Sequence, residues 1–141
     1  MPQLSIVVPT YNEAGNVVEL RDRVAAALPG LDWEMIYVDD DSPDGTSAAV
    51  RELAQRDSRV RCIQRIGRRG LSSACIEGML ASSAPIVAVI DADLQHDERL
   101  LPAMFDALRS DDIDVVVGSR YTEGGSMEGW DRSRAATSRF A

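Results

Sequence analysis

Apolar strands and amphipathic helices alternate along this chain, and that alternation leaves few folds open to it. Residues 4–8, 33–38, 60–64 and 86–90 read as short, nearly continuous apolar strands. Residues 114–118, with Val115, Val116 and Val117, read as a fifth. Between them apolar residues recur at helical spacing. The first such set is Val17, Leu20, Val24 and Leu28, and the second is Val50, Leu53 and Ala54. A slim third helix over 71–83 carries Ser72, Ser73, Ala74 and Gly78, small enough for close packing on a sheet. The fourth stripe is Leu100, Leu101, Met104, Phe105 and Leu108, read as core, with Pro102 tolerable in the first turn. Pro9 is read as ending the first strand, and Pro29-Gly30 as stopping the first helix. Strands that are apolar throughout are covered on both faces. The pattern therefore predicts an α/β chain, a three-layer sandwich around a mainly parallel sheet. Its 141 residues suit one domain, 1–141.

In such sheets ligands bind beyond the carboxyl ends of the strands. The unusual polar residues fall there. Tyr11 and Glu13 follow the first strand, Asp39 to Asp44 the second, Asp91 to Gln95 the fourth and Arg120 the fifth. In the stretch VAVIDADLQH, residues 87–96, alternate side chains of an extended chain point the same way. Asp91 and Asp93 then face one point, with Ala92 turned away. Two carboxylates so placed repel unless a cation lies between them. Mg²⁺ and Mn²⁺ prefer oxygen ligands and bind through one or two carboxylates plus substrate phosphates. The amide oxygen of Gln95 is a candidate third ligand. The other reading of the pair is a cap on the next helix.

Similar alternatives stay open elsewhere. Thr10 to Glu13 matches a capping box, which would account for Glu13 without a site. Asp44, Ser42 or Thr46 can cap the helix after the second strand. A capping loop needs one such residue rather than four carboxylates, so the excess acid points to a site. Solvated surface charge is the other reading for Asp39 and Asp41.

The net charge of −8 argues against a nucleic-acid surface. All 15 basic residues are arginine, so no mechanism that needs a lysine is available. This removes a phospho-acceptor receiver domain and a haloacid-type phosphatase. Arg56, Arg59, Arg61, Arg65, Arg68 and Arg69 form the one basic cluster, read as a solvated face or as a surface for phosphate or anionic lipid. Gly67 and Gly70 flank the last two of these and open a helix whose N-terminus can hold phosphate. No G-x-G-x-x-G occurs. Cys62 and Cys75 read as small apolar residues in a reducing compartment. No signal peptide and no run of 18 apolar residues is evident. The expected place is the cytoplasm, with peripheral contact at the cytoplasmic face of a membrane.

PTYNE (9–13), VDDDSPDGT (38–46), GLSSA (70–74), DADLQH (91–96), GSRY (118–121) and a GG…W…R segment (124–134) stand in the order and approximate spacing of the family-2 glycosyltransferases. Within that family the chain resembles the dolichol- or polyprenol-phosphate mannosyltransferases, over nearly its whole length. The resemblance implies a nucleotide-diphospho-sugar transferase fold of the glycosyltransferase A type. It implies an inverting transfer of a sugar, mannose from GDP-mannose, to a polyprenyl or dolichyl phosphate with Mg²⁺ or Mn²⁺. Pro9, Tyr11, Glu13, Val38 and Asp40 would line the nucleotide pocket. Asp91, Ala92 and Asp93 would meet the ribose and diphosphate. Asp91, Asp93 and Gln95 would hold the metal, and Arg120 and Arg134 would face the diphosphate or the acceptor phosphate. Asp93 and Arg120 are the catalytic candidates. Family members run on past the Trp-Arg segment, so a domain incomplete at its C-terminus is expected. A non-catalytic nucleotide-sugar-binding fragment, completed by a partner chain or a homo-oligomer, is the alternative, as is a family-2 transferase with another donor and acceptor.

Overall fold

The computed structural model of the chain describes residues 1–110 and 112–119. Four strands form a parallel sheet in the order β3-β2-β1-β4: β1 (Leu4–Thr10), β2 (Trp33–Asp39), β3 (Val60–Gln64) and β4 (Ile86–Val89). Helices α1 (Val17–Ala27), α2 (Thr46–Arg56) and α3 (Leu71–Leu80) connect them. A 3-10 turn (Glu98–Leu100) leads into α4 (Leu101–Leu108). The chain steps outward from β1 to β2 to β3, then crosses back to pair β4 with the other side of β1. Crossovers between parallel strands are right-handed, so reversing the direction puts the next helix on the opposite face. The core divides accordingly. Val17, Leu20 and Val24 of α1, Val50 and Leu53 of α2, and Leu101 and Phe105 of α4 pack with Ile6, Val8, Met35 and Tyr37 on one face. Ala74 of α3 packs with Val7, Ile36 and Val38 on the other. The reversal between β1 and β4 is a topological switch point, where open α/β sheets form a ligand crevice.

Pro9 does not end β1, which runs to Thr10 with Pro9 opposite Val38. The reason lies in which way the backbone points. Val7 O accepts from Ile90 N, so Val7 faces β4. Pro9, two residues on, also faces that side, beyond the last residue of β4. The proline's missing donor therefore removes no ladder bond. The fifth strand is not formed either. Residues 114–118 adopt no strand, and Val115 and Val117 are about three-quarters exposed. An apolar run reports a tendency to be buried; it becomes a strand only where an edge offers a ladder, and this run is not paired with β4. Of the fourth stripe, Leu101 and Phe105 are buried while Leu100 is half exposed. Pro102 sits in the first turn of α4. Among the described residues no helix is long and apolar enough to cross a membrane.

Buried polar groups fix the helices to the sheet. The Tyr37 hydroxyl donates to Val17 O at 2.8 Å, tying β2 to the start of α1, and burial pushes this phenol far above its ordinary range. At the N-terminal edge of the sheet Glu34, almost fully buried, accepts from Ser5 Oγ (2.6 Å), Ser83 N (2.9 Å) and Ser83 Oγ (2.8 Å). Its other oxygen lies 2.8 Å from Arg61 Nη2. Burial raises the Glu34 carboxyl, but these hydrogen bonds and the arginine outweigh it and leave it below the usual glutamate range.

α3 approaches the sheet closely because Gly78 has no side chain. A Cβ built there would lie 2.3 Å from Val7 Cγ1 and 3.1 Å from Val38 Cγ2. Gly78→Ala gains about 1 kcal/mol of helix propensity but overpacks two central strands, which costs about 1–3 kcal/mol. At so short an approach packing wins, and a net loss of about 1–2 kcal/mol is expected in chemical denaturation; an unchanged or raised midpoint would contradict the close packing. Glu34→Gln tests the other face of the argument. A carboxylate held below its unfolded value of about 4.3 stabilises the fold above that pH and loses its contribution as pH falls through the folded value. The variant should be less stable by about 1–3 kcal/mol at pH 7, with the gap closing below about pH 4. A gap independent of pH would refute the assignment.

Candidate functional site

The loops after β1 and β2 are sewn together before any ligand is considered. Asp39 has no exposed surface. Its carboxylate accepts from Thr10 Oγ1 (3.1 Å), Ser42 N (3.0 Å), Ser42 Oγ (2.6 Å) and Ser47 Oγ (2.6 Å). The backbone of the first loop then donates to side chains of the second: Asn12 N to Ser42 Oγ, Glu13 N to Thr46 Oγ1 and Ala14 N to Asp44 Oδ2. Asp44 also accepts from Thr46 Oγ1 and N. The Thr46 hydroxyl is the chief reason its carboxyl lies below the usual range. Three expectations change here. Asp39 is a buried structural acid, not a solvated one, and Asp41 accepts from Gln64 Nε2 at 2.6 Å. Most of the excess acid in VDDDSPDGT thus shapes the loop. The Thr10–Glu13 capping box does not form, because Thr10 is still in β1 and α1 is preceded by Asn16. Glu13 instead accepts from Asn16 Nδ2 at 2.7 Å.

These loops set out the expected nucleotide-pocket residues along the ends of β1 and β2. Tyr11 is half exposed, and the Arg69 guanidinium lies 4.9 Å from its ring centre. Asp40 is 7% exposed; its oxygens accept from Arg65 Nε and from Gly70 N, both at 2.7 Å. Pro9 and Val38 are buried; Val38 has no exposed surface and its side chain belongs to the core under α3, so it supports the rim from beneath rather than facing a ligand.

Across the switch point lies the loop after β4. Ala92 is 2% exposed and packs into the core, while Asp91 is half-exposed and Asp93 exposed. The sequence placed Ala92 opposite the two carboxylates, and the structure does so. Leu94 takes a left-handed φ of +62°, which costs a branched side chain on the order of 1–3 kcal/mol. It is held by packing against the core and by Gln95 N donating to Asp93 Oδ1 at 3.0 Å. His96 clasps Asp91: its Nδ1 accepts from Asp91 N at 3.2 Å, and its Nε2 is 3.7 Å from Asp91 Oδ2. The Cys75 thiol lies on α3, within the fields of Asp91 and Arg65. Burial pushes it up, Asp91 pushes it further, and Arg65 opposes.

Asp91 and Asp93 have no arginine partner among the described residues, whereas the basic cluster is almost wholly spent. Arg56 pairs with Glu52, Arg59 with Asp57, Arg61 with Glu34, Arg65 with Asp40, and Arg68 with Glu77. Most of the cluster is therefore paired, its members outside Arg65 remain partly exposed, and Arg65 is fully buried. Two unneutralised carboxylates with a neighbouring amide oxygen fit a hard divalent ion whose shell is completed by phosphate oxygens and water. They do not make a closed cage. Among the described residues no three His, Cys, Asp or Glu side chains gather as one. A cleft of about 610 Å³ lies between Arg23, Ala26 and Ala27 of α1 and residues 95–99. It shares Gln95 and His96 with the rim, but Tyr11, Asp40 and Asp91 do not line it. Arg120 and Arg134 lie outside the described residues. Arg65, Arg69 and His96 were not singled out from the sequence as site residues. The only signal for the first two was the arginine run itself, and His96 stood in the DADLQH motif without a role.

Known proteins carry this arrangement further. The model of the family described as Glycosyl transferase family 2 matches residues 5–140. A dolichol-phosphate mannosyltransferase of Pyrococcus furiosus is 41% identical over 139 residues, 99% of this chain and 39% of its own length. One of Saccharomyces cerevisiae is 35% identical over 143 residues, 99% of this chain and 53% of its own length. The chain thus spans about half or less of the length of these relatives. Among solved structures, the mannosyltransferase PcManGT from Pyrobaculum calidifontis, in complex with GDP-Man and Mn²⁺, superposes with a TM-score of 0.66 and 28% identity. The match covers 78% of this chain and 33% of that one. Staphylococcus aureus TarS 1-349 shares the fold, with a TM-score of 0.62 and 24% identity over 77% of this chain and 32% of its own. From the match over 5–140 and the shared sheet, the chain belongs to glycosyltransferase family 2.

Proposed function

We propose that this chain is the donor-binding part of an inverting glycosyltransferase that moves mannose from GDP-mannose to a polyprenyl or dolichyl phosphate with the help of Mg²⁺ or Mn²⁺. The observation that supports the reading is the Asp91-Ala92-Asp93 turn, with two carboxylates that no arginine among the described residues neutralises, beside the switch point of a parallel sheet. The relatives named for dolichol-phosphate mannosyl transfer support the acceptor class, and the neighbour holding GDP-Man and Mn²⁺ supports donor and ion.

Asp91, Asp93 and the Gln95 amide oxygen are the residues that would hold the ion. When bound, it neutralises the diphosphate and makes it a better leaving group. Tyr11, Glu13 and Asp40 form the wall against which the nucleoside lies, with Pro9, Val38 and Ala92 buried behind it. His96 steadies Asp91. Arg120 and Arg134 are proposed, on sequence grounds, for the diphosphate or the acceptor phosphate. In the transfer, an acceptor phosphate oxygen forms the new bond to the anomeric carbon as the bond to the diphosphate oxygen breaks, and that electron pair leaves with GDP. A phosphomonoester with a second pKa of about 6 is already ionised near neutral pH. No side chain of this chain is then asked to remove a proton. A lipid phosphate acceptor would bring the protein to the cytoplasmic face of a membrane.

Calorimetric titration of GDP-mannose with and without Mn²⁺ tests the reading. Metal-dependent binding is expected, and Asp93→Ala should weaken it by more than the roughly 10–100-fold that loss of an outer partner brings. Binding that is indifferent to Mn²⁺ and to this substitution would remove the metal role. Binding of a UDP-sugar in preference to GDP-mannose would replace the donor.

A further inference from the structure

The basic cluster contains one arginine with no exposed surface, and its partners define what it does. Arg65 follows β3, where its N–H donates to Asp39 O at 2.8 Å. Its guanidinium uses all three nitrogens. Nε donates to Asp40 Oδ1 at 2.7 Å, and Nη2 to Gly70 O at 3.2 Å. Nη1 donates to Ser73 Oγ at 2.8 Å and to Glu77 Oε1 at 3.4 Å. Gly70 N returns to Asp40 Oδ2 at 2.7 Å and closes the ring. One planar cation thus joins the end of β2, the turn over 66–70 and the first two turns of α3. The turn depends on glycine twice, at Gly67 (φ +76°) and Gly70 (φ +131°), so little in its own backbone stiffens it. It also carries Arg69, the guanidinium stacked on Tyr11.

We propose that Arg65 is a positioning residue: by holding Asp40 and the 66–70 turn as one unit, it sets how tightly the rim grips a nucleotide. The proposal rests on the donor-site reading above and deepens it. Each Asp40 oxygen accepts one bond from this frame and keeps a second acceptor direction for a ligand donor. Without the frame the carboxylate is free to rotate, and the Arg69–Tyr11 wall loses its anchor. A lysine cannot replace the guanidinium. It is a point donor on a flexible stem and cannot reach β2, the turn and α3 together.

Titration of GDP and of UDP, with Mn²⁺ present, into the unsubstituted chain, Arg65→Lys, Asp40→Asn and the double variant tests this. Arg65→Lys is expected to keep a cooperative melt and to weaken nucleotide binding by about 10–100-fold, as loss of an orienting partner does elsewhere. Adding it to Asp40→Asn should change affinity by less than about twofold, because both act through one group. Losses that multiply in the double variant would mean that Arg65 does not act through Asp40, and binding unchanged in Arg65→Lys would equally overturn the proposal. If Arg65→Lys fails to melt cooperatively, Ser73→Ala takes its place. Removing that anchor of Nη1 should weaken binding several-fold, and unchanged binding counts against the proposal. No nucleotide binding by the unsubstituted chain overturns the donor reading and this proposal with it; binding by the parent that the variants leave alone overturns only the proposal.

Discussion

A carboxylate with no solvent exposure, Asp39, is the constraint on which the rim depends. Burying an ionised group is tolerable only when hydrogen bonds replace its water. Here the donors come from three segments: Thr10 at the end of β1, Ser42 in the following loop and Ser47 in the first turn of α2. Meeting the needs of one acid therefore brings together the ends of two strands and the start of a helix. The next residue, Asp40, is carried to the rim by the same requirement, with its N–H on Thr10 O at 3.0 Å. Tyr11 is placed because the residue before it cannot move. The loop is rigid for reasons of folding, and that rigidity is what a binding surface needs.

The sheet supplies the second condition. Because β4 returns to the far side of β1, the loop bearing Asp91 and Asp93 is set opposite the loops bearing Tyr11 and Asp40. Among the described residues α3 covers that face over β1 and β2, and it can do so only at the distance that Ala74 and Gly78 allow. A larger residue at Gly78 would lift the helix whose first turns hold Arg65 through Ser73 and Glu77. Core packing and rim geometry are thus joined through one slim helix.

Local patterns were legible in the sequence, and long-range pairing was not. The four formed strands and the helix faces of Val17, Leu20, Val24, Val50 and Leu53 follow from periodicity, which is set by neighbours along the chain. Asp91 and Asp93 on one side of Ala92 is the same kind of inference. What failed needed a partner far away. Pro9 stays in its strand because of where β4 ends. Thr10 does not cap a helix because Asp39, 29 residues on, takes its hydroxyl. Residues 114–118 read as a strand by composition and have no ladder to join. The arginine run looked like a surface because sequence shows charge without its counter-charge. Glu34 and Asp40, each 25 or more residues away, and Glu77 pair with Arg61, Arg65 and Arg68, and the buried Arg65 becomes an internal brace.

The distribution of charge bears on the proposed site. The chain holds 23 acidic residues and 15 arginines, so the acids cannot each have an arginine of their own. Solvated acids scattered on helix surfaces would be the ordinary result. Instead the rim shows two treatments side by side. Asp39, Asp40 and Asp44, at the end of β2 and in the loop after it, are each met by hydrogen bonds or an arginine. Among the described residues Asp91 and Asp93, on the other side of the crevice, are met by a backbone N–H and a histidine. The loop that bears them also keeps Leu94 in a left-handed conformation, a cost the surrounding packing sustains. Two carboxylates that no arginine among the described residues meets, on a turn held against its own preference, are stable enough to persist but electrostatically incomplete. Under the proposed donor reading, a divalent ion arriving with a nucleotide diphosphate would supply charge to the carboxylates and gain ligands from the diphosphate, so metal and donor would bind together.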